Sequence, residues 1–248
     1  MNLLRAERIK LFSTRGQWLC LTLALVAPWG LTALFLGLAG PEIATTPANT
    51  QVTSGNGRTV LLVLATIAAA SEFNWGTMRL TFQAVPNRVP ALLAKATVVG
   101  AVGLAVGLLV GVGNWGIAKL VQPDANLALH TAADWRNVFG QALVFMLTAV
   151  LGVGVGLLLR SVALSLSVVL VWSLLIEGLI MFIPGVGKHI YQWMPFYAAS
   201  QFAGADLTGP ALSLPHNPLS PWGYLGYFAA ICVALFVAGV VLTRQRDA

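Results

Sequence analysis

Six long apolar runs, separated by shorter polar stretches, set the pattern of this chain. They cover residues 17–38, 58–78, 91–118, 138–159, 162–184 and 222–243. At 1.5 Å per residue, a helix of about 22 residues is about 33 Å long, close to the thickness of a bilayer's hydrocarbon core. Backbone groups in lipid must be satisfied within their own segment, so each run predicts a transmembrane helix. The predicted fold is all-α: one polytopic membrane domain over residues 1–248 with six spans.

The connections carry further expectations. Only Arg160 and Ser161 separate the fourth and fifth runs, which predicts a tight antiparallel hairpin. The N-terminal "NLLRAERIKLFSTR" mixes charges with Leu3, Leu4, Ile9, Leu11 and Phe12. Residues 1–16 therefore predict a short helix lying at the inner membrane interface. The segment 185–221 contains "YQWMPFYAASQFAGADL", which is apolar and aromatic yet too broken to span. An external cap or helical hairpin before the last span is expected there.

Lysine and arginine placement orients the whole. Arg5, Arg8, Lys10, Arg15, Arg79, Arg88, Lys95, Arg160, Arg244 and Arg246 fall on one side, against Arg58, Lys119, Arg136 and Lys188 on the other. The first set marks the cytoplasm, so both termini are expected inside. Trp18, Trp75, Trp115, Trp135 and Trp222 lie near predicted helix ends, as an interfacial aromatic belt would have them.

Composition agrees with the pattern. The chain is 58% hydrophobic and 9% charged, with mean hydropathy +0.82. Soluble domains carry about a quarter charged residues, so that class is excluded. The net charge of +6 is spread along the chain without basic clusters, so it reads as a topology signal and no nucleic-acid partner is expected. Cys20 and Cys232 fall inside apolar runs and read as packing residues. The first run is too long for the apolar core of a signal peptide, and no cleavable leader is expected. Gly103, Gly107 and Gly111, and Gly152, Gly154 and Gly156, recur at intervals that let helix backbones approach closely, within the bundle or across a dimer seam.

Catalytic chemistry is not legible. No G-x-x-x-x-G-K-[ST] pattern occurs, and "GVGKH" at 185–189 falls on the outer side. His130, His189 and His216 are widely separated and in predicted external loops, so no metal site is expected. The exception within the spans is Glu177, in "SLLIEGLIMFIPG". A carboxyl group inside a spanning helix is costly and conventionally marks function. It lines or gates a substrate path, or is bonded to a neighbouring helix, or is protonated and merely tolerated near the outer interface. Pro184 ends or bends that helix. Pro28 and the intramembrane hydroxyls Thr32, Thr66, Thr148, Ser165, Ser167 and Ser173 read as structural.

The most polar inner connection is "SEFNWGTMRLTFQAVPNRVPALLAKA", residues 71–96. Glu72, Gly76 and Arg79 are spaced i, i+4, i+7, which predicts one side of a helix continuing the second span, before Pro86 and Pro90 break the chain. An acid ending the second span, then Gly-Thr-x-Arg-x-Thr, a proline-plus-arginine turn and "LLAKA", resembles the ABC-2 type transporter permeases. The N-terminal "RAERIKL", the six spans and the external segment before the last one are similar too. The resemblance implies the permease subunit of an ATP-driven exporter in a bacterial plasma membrane, not itself an enzyme. It moves a drug, peptide or lipid, pairs with a second permease copy or paralogue, and leaves ATP and Mg to a separate cytoplasmic ATPase, with no cofactor of its own. It also implies that residues 72–90 act as a coupling helix. The ATPase contacts would be Glu72, Gly76, Thr77, Arg79, Thr81, Pro86, Asn87 and Arg88, with Arg5, Arg8 and Lys10 at the N-terminus. An accessory or immunity-type membrane protein that binds a partner or toxin without transport is the alternative.

Overall fold

Helix is the only regular structure among the described residues of the computed structural model, which are 2–38, 45–84, 87–204 and 218–245. The side chains of Asn2, Arg79, Leu80 and Ala84 lie outside that range of description, as does residue Pro86. Six helical stretches are long and apolar enough to cross a membrane. The first two helices are α1 (Asn2–Ser13) and α2 (Arg15–Leu38), joined through Thr14. A single 3-10 turn at Asn49–Gln51 leads into α3 (Ser54–Asn74), and together these make the second stretch. Then come α4 (Thr77–Ala84) and the 34-residue α5 (Arg88–Val121). The fourth stretch joins α6 (Ala132–Phe139) to α7 (Gln141–Leu159) across Gly140. A capping box starts α6: Thr131 accepts from the Asp134 amide while the Asp134 carboxylate accepts from the Thr131 amide.

The hairpin expected at Arg160-Ser161 is present. Arg160 ends α7 in the left-handed region at φ 53°, and the Ser161 hydroxyl caps α8 (Val162–Val171). The fifth stretch then loosens into a π turn at Trp172–Ile176 before α9 (Glu177–Ile180). The helix stops there, four residues before Pro184. Two short helices, α10 (Gly187–Tyr191) and α11 (Pro195–Ala203), occupy the described part of the segment before the last span. Residues 205–217 of that segment lie outside the described residues. The last stretch is α12 (Pro221–Gln245).

Burial shows how the bundle is layered. The apolar window of the α6–α7 stretch is 72% buried, whereas that of α8–α9 is 17% and that of α12 is 22%. α7 is therefore the central post, and α8 turns most of its apolar surface outward. One core cluster joins α2, α3, α5 and α7 through Leu21, Leu61, Leu64, Val106, Phe145 and Leu157. A second joins α7, α11 and α12 through Val144, Phe202, Tyr224 and Phe228.

The glycines make these close contacts possible. A Cβ on Gly103 would lie 2.9 Å from Ala149 Cβ, and one on Gly107 would lie 2.5 Å from the Gln141 carbonyl oxygen. Gly152 and Gly156 seat α7 on Ala65 and Ala69 of α3, and Gly154 meets the Phe236 backbone of α12; a Cβ on any of the three would lie 2.8 Å from those atoms. The glycine rows thus serve packing inside the bundle. Gly107→Ala is expected to destabilise the protein by about 1–3 kcal/mol, because a backbone carbonyl cannot move aside. Gly116, with nothing within 4 Å, should accept alanine neutrally or with a small gain. Equal thermal midpoints for the two variants in detergent would contradict this packing.

The buried hydroxyls divide by role. Thr66 and Thr148 donate to carbonyls one turn back in their own helices, Leu62 at 2.7 Å and Val144 at 2.8 Å. Thr32 instead meets the Thr53 hydroxyl at 2.5 Å, and Thr53 also accepts from the Asn114 amide at 3.4 Å. These three residues tie α2, α3 and α5 together at the end of the bundle away from α1.

Candidate functional site

Four ionisable side chains converge where α1 lies against the bundle. On α1, Glu7 and Lys10 share a face with Leu11, being three and four residues apart. That face turns inward: Glu7 is 7% exposed and Leu11 is 3% exposed. Glu72 comes from the last turn of α3, and Lys95 from the second turn of α5. Lys95 Nζ lies 2.7 Å from Glu7 Oε2 and 2.8 Å from Glu72 Oε1, and its side chain is 5% exposed. It also donates to the Ala68 carbonyl at 3.4 Å. Lys10 Nζ lies 2.9 Å from Glu7 Oε1 and 3.2 Å from Glu72 Oε1. Its third hydrogen bond goes to Thr81 Oγ1 at 3.2 Å, on α4.

Charge balances in this cluster: two carboxylates against two ammonium groups. Each buried charge is paired and hydrogen-bonded, the condition under which burial is tolerated. The consequence is mechanical. Lys10 bonds to α3 and α4 from α1, and Lys95 bonds to α1 and α3 from α5, so four helices share one electrostatic joint.

Beside the joint is a cavity of about 180 Å³ lined by Ser13, Gln17, Ser71, Glu72, Trp75 and Thr77, among others. Glu72 Oε2 and Gln17 Oε1 are buried there without a hydrogen-bond partner among the described residues. The space suits a few ordered waters, which would satisfy both acceptors.

Burial pushes the Glu7 carboxyl up, but Lys95 and Lys10 outweigh it and hold the group below its ordinary value of 4.5. Burial likewise pulls Lys10 down, and Glu7 and Glu72 outweigh it and hold the ammonium above 10.5. The Glu7 contribution to docking α1 is therefore complete above its unfolded value and lost as pH falls through the lowered one. The Lys10 contribution is complete below its unfolded value and lost as pH rises through the raised one. Protection of α1 from protease is expected to stay level from about pH 5 to about pH 10 and to fall below that window as Glu7 protonates. Protection that declines steadily across the window would contradict it.

The helix expected to run on from Glu72 through Arg79 does not. α3 ends at Asn74, Gly76 adopts φ 68°, and α4 begins anew at Thr77. Glycine takes this left-handed conformation without the penalty a Cβ brings, so it breaks the helix where the i, i+4, i+7 spacing would carry it on. The break separates the residues placed together on sequence grounds. Glu72 is buried in the joint, while Thr77 donates back to the Glu72 carbonyl at 3.3 Å and Thr81 receives Lys10. α4 rests on the bundle through Met78, 2% exposed, and through Phe82, over which the Arg88 guanidinium sits at 5.0 Å. Asn87 caps α5 by accepting from the Val89 amide, and Arg88 donates to the Thr243 carbonyl at 3.1 Å, tying this turn to the end of α12. The Arg79 side chain and Pro86 lie outside the described residues. Arg5 and Arg8 are exposed and point away from the joint, with no hydrogen bond or ion pair among the described residues.

Sequence reasoning singled out Lys10, Glu72 and Thr81 and missed Glu7 and Lys95 as site residues. A signal for both was present. Lys95 lies inside the third apolar run and needs a counter-charge, and Glu7 is the one acid in the N-terminal segment.

At the opposite end Glu177 is 5% exposed and fully engaged. Its Oε1 accepts from the Trp172 indole N–H at 3.1 Å and from the Phe196 amide at 3.1 Å, and its Oε2 accepts from the Tyr197 amide at 3.2 Å. Met194, the residue preceding α11, offers no side-chain cap. Glu177 supplies from a distant helix the carboxylate that an N-cap would give, aimed at the positive end of the α11 dipole. Arg58 adds an opposite charge within electrostatic range, its guanidinium 5.3 Å from the Phe196 ring centroid. Among the readings expected for Glu177, these bonds are those of a carboxyl bonded to a neighbouring helix.

No family model matches the chain, and no curated protein is similar to it at a significant level.

Proposed function

We propose that this chain is the membrane-spanning permease subunit of an ATP-driven exporter of the ABC-2 type. It would act as a dimer in the plasma membrane with a separate cytoplasmic ATPase. The observation that carries the reading is the joint of Glu7, Lys10, Glu72 and Lys95. A permease without its own nucleotide site needs surface elements that a soluble partner can push and that pass the push to spanning helices. α4 is such an element, short and set off by Gly76. Its Thr81 bonds to Lys10, which is bonded in turn to α3, so displacement of α4 strains α1, α3 and α5 together.

On this reading the partner sits on α4 and the turn that follows it, with Asn87 and Arg88 at the edge. ATP-driven closure of two such partners changes access to a path between permease copies, and the apolar spans favour an amphipathic or hydrophobic substrate. Glu177 braces the segment at the far end of the bundle through α11. Purification of the tagged chain from native membranes, followed by mass spectrometry, should recover an ATP-binding-cassette subunit. Recovery of intact protein with no ATPase would favour the accessory or immunity-type reading.

A further inference from the structure

α1 divides the surface at its end of the bundle. On one flank lies the polar cavity beside Glu72, and on the other a groove of about 660 Å³ between α1 and α5. At 100° per residue, Leu4, Arg8, Phe12 and Arg5 fall on one arc of about 100° on α1, which adjoins the arc of Glu7, Lys10 and Leu11 where Leu4 borders Leu11. They form one wall of the groove. The other wall is Thr97, Val98, Ala101, Val102 and Ala105, a stripe along α5. The hydroxyl of Thr97 is bonded at 2.8 Å to the Leu93 carbonyl of its own helix, so that wall is effectively apolar.

This groove is apolar along its length and cationic at its mouth. α5 has 34 residues and is about 51 Å long, well beyond the hydrocarbon thickness of about 30 Å. Arg88, Pro90 and Lys95 occupy its first turns, so those turns are assigned to the headgroup level, and the stripe from Thr97 to Ala105 runs inward from there for about 12 Å. Arg5 and Arg8 stand at that level with no acidic partner among the described residues. Two guanidinium groups beside an apolar furrow match a phosphate with a hydrocarbon chain attached.

We propose that this groove binds an anionic phospholipid, with Arg5 and Arg8 holding the headgroup phosphate and one acyl chain lying along Val98, Ala101, Val102 and Ala105. The site rests on membrane insertion of the six apolar stretches and not on the identity of any cytoplasmic partner. Bound there, the lipid wedges the flank of α1 that the charge joint leaves uncovered.

Native mass spectrometry of the full chain in detergent, titrated with phosphatidylglycerol or phosphatidylcholine, tests it. Retention of phosphatidylglycerol is expected to exceed that of phosphatidylcholine by roughly ten- to thirty-fold, from two basic residues near an anionic headgroup. The preference should collapse in Arg5→Gln/Arg8→Gln. Ala101→Phe, which fills the furrow and leaves the arginines in place, should lower retention of phosphatidylglycerol. Equal retention of the two lipids by the unaltered protein would overturn the proposal. So would a preference that survives loss of both arginines, or one untouched by Ala101→Phe.

Discussion

Lys95→Met is expected to destabilise the protein by about 3–5 kcal/mol and to free α1 from the bundle. The lysine is 4% exposed and neutralises two carboxylates that are each 7% exposed. Removing it leaves Glu7 and Glu72 buried with only Lys10 between them, and breaking one side of a buried ion pair costs about that much. Protonation of one carboxylate would relieve part of the cost, so the loss should shrink at low pH. Trypsin provides a local readout, since Lys10 and Arg15 flank the junction of α1 and α2. Cleavage there should accelerate before global unfolding. Adding Glu72→Gln to Lys95→Met should recover much of the loss, because Glu7 and Lys10 then balance and no carboxylate is left without a counter-charge. A single variant as stable as the parent would show that the joint does not hold α1.

Glu177→Ala is the second large expected effect, roughly 2–4 kcal/mol, confined at first to α10 and α11. Two backbone amides and one indole N–H lose a charged acceptor. Hydrogen bonds to charged groups contribute about 1.5–3 kcal/mol, and a helix cap about 1 kcal/mol. Arg58 would also lose the opposite charge of Glu177. Glu177→Gln, which keeps an acceptor oxygen, should lose about half as much. Combining Glu177→Ala with Arg58→Met should cost less than the sum of the two single changes, since they act on one electrostatic pair. Limited proteolysis within 181–194, read beside the thermal midpoint, separates local from global loss. Unchanged proteolysis in Glu177→Ala would remove the capping role.

The spans were legible because their signal is local: apolar length against bilayer thickness. The turn at Arg160-Ser161 was legible for the same reason, with two polar residues between two apolar runs leaving no other option. The joint was only half legible. Lys10 and Glu72 stand out in polar stretches, but Glu7 shares α1 with Lys10 and Lys95 lies inside α5. Nothing in the spacing of residues 7, 72 and 95 encodes the fold-back of α1 that brings them together. Gly76 misled in a specific way, since helical spacing on either side of it is intact and only its positive φ interrupts the rod. Glu177 stood out as an acid inside an apolar run, yet two of its three partners are backbone amides, which leave no mark in a sequence. Pro195 at the first position of α11 was the one hint that a helix begins there.

Docking of a soluble ATPase on α4 is tested most directly by site-specific photocrosslinking in native membranes. A photoreactive residue at Gln83, exposed on α4, is compared with one at Leu120, 83% exposed at the far end of α5. If α4 receives the partner, Gln83 should give a crosslinked adduct containing an ATP-binding-cassette protein and Leu120 should give none. The same adduct from both positions, or none from Gln83 in membranes where the protein is intact, would contradict it.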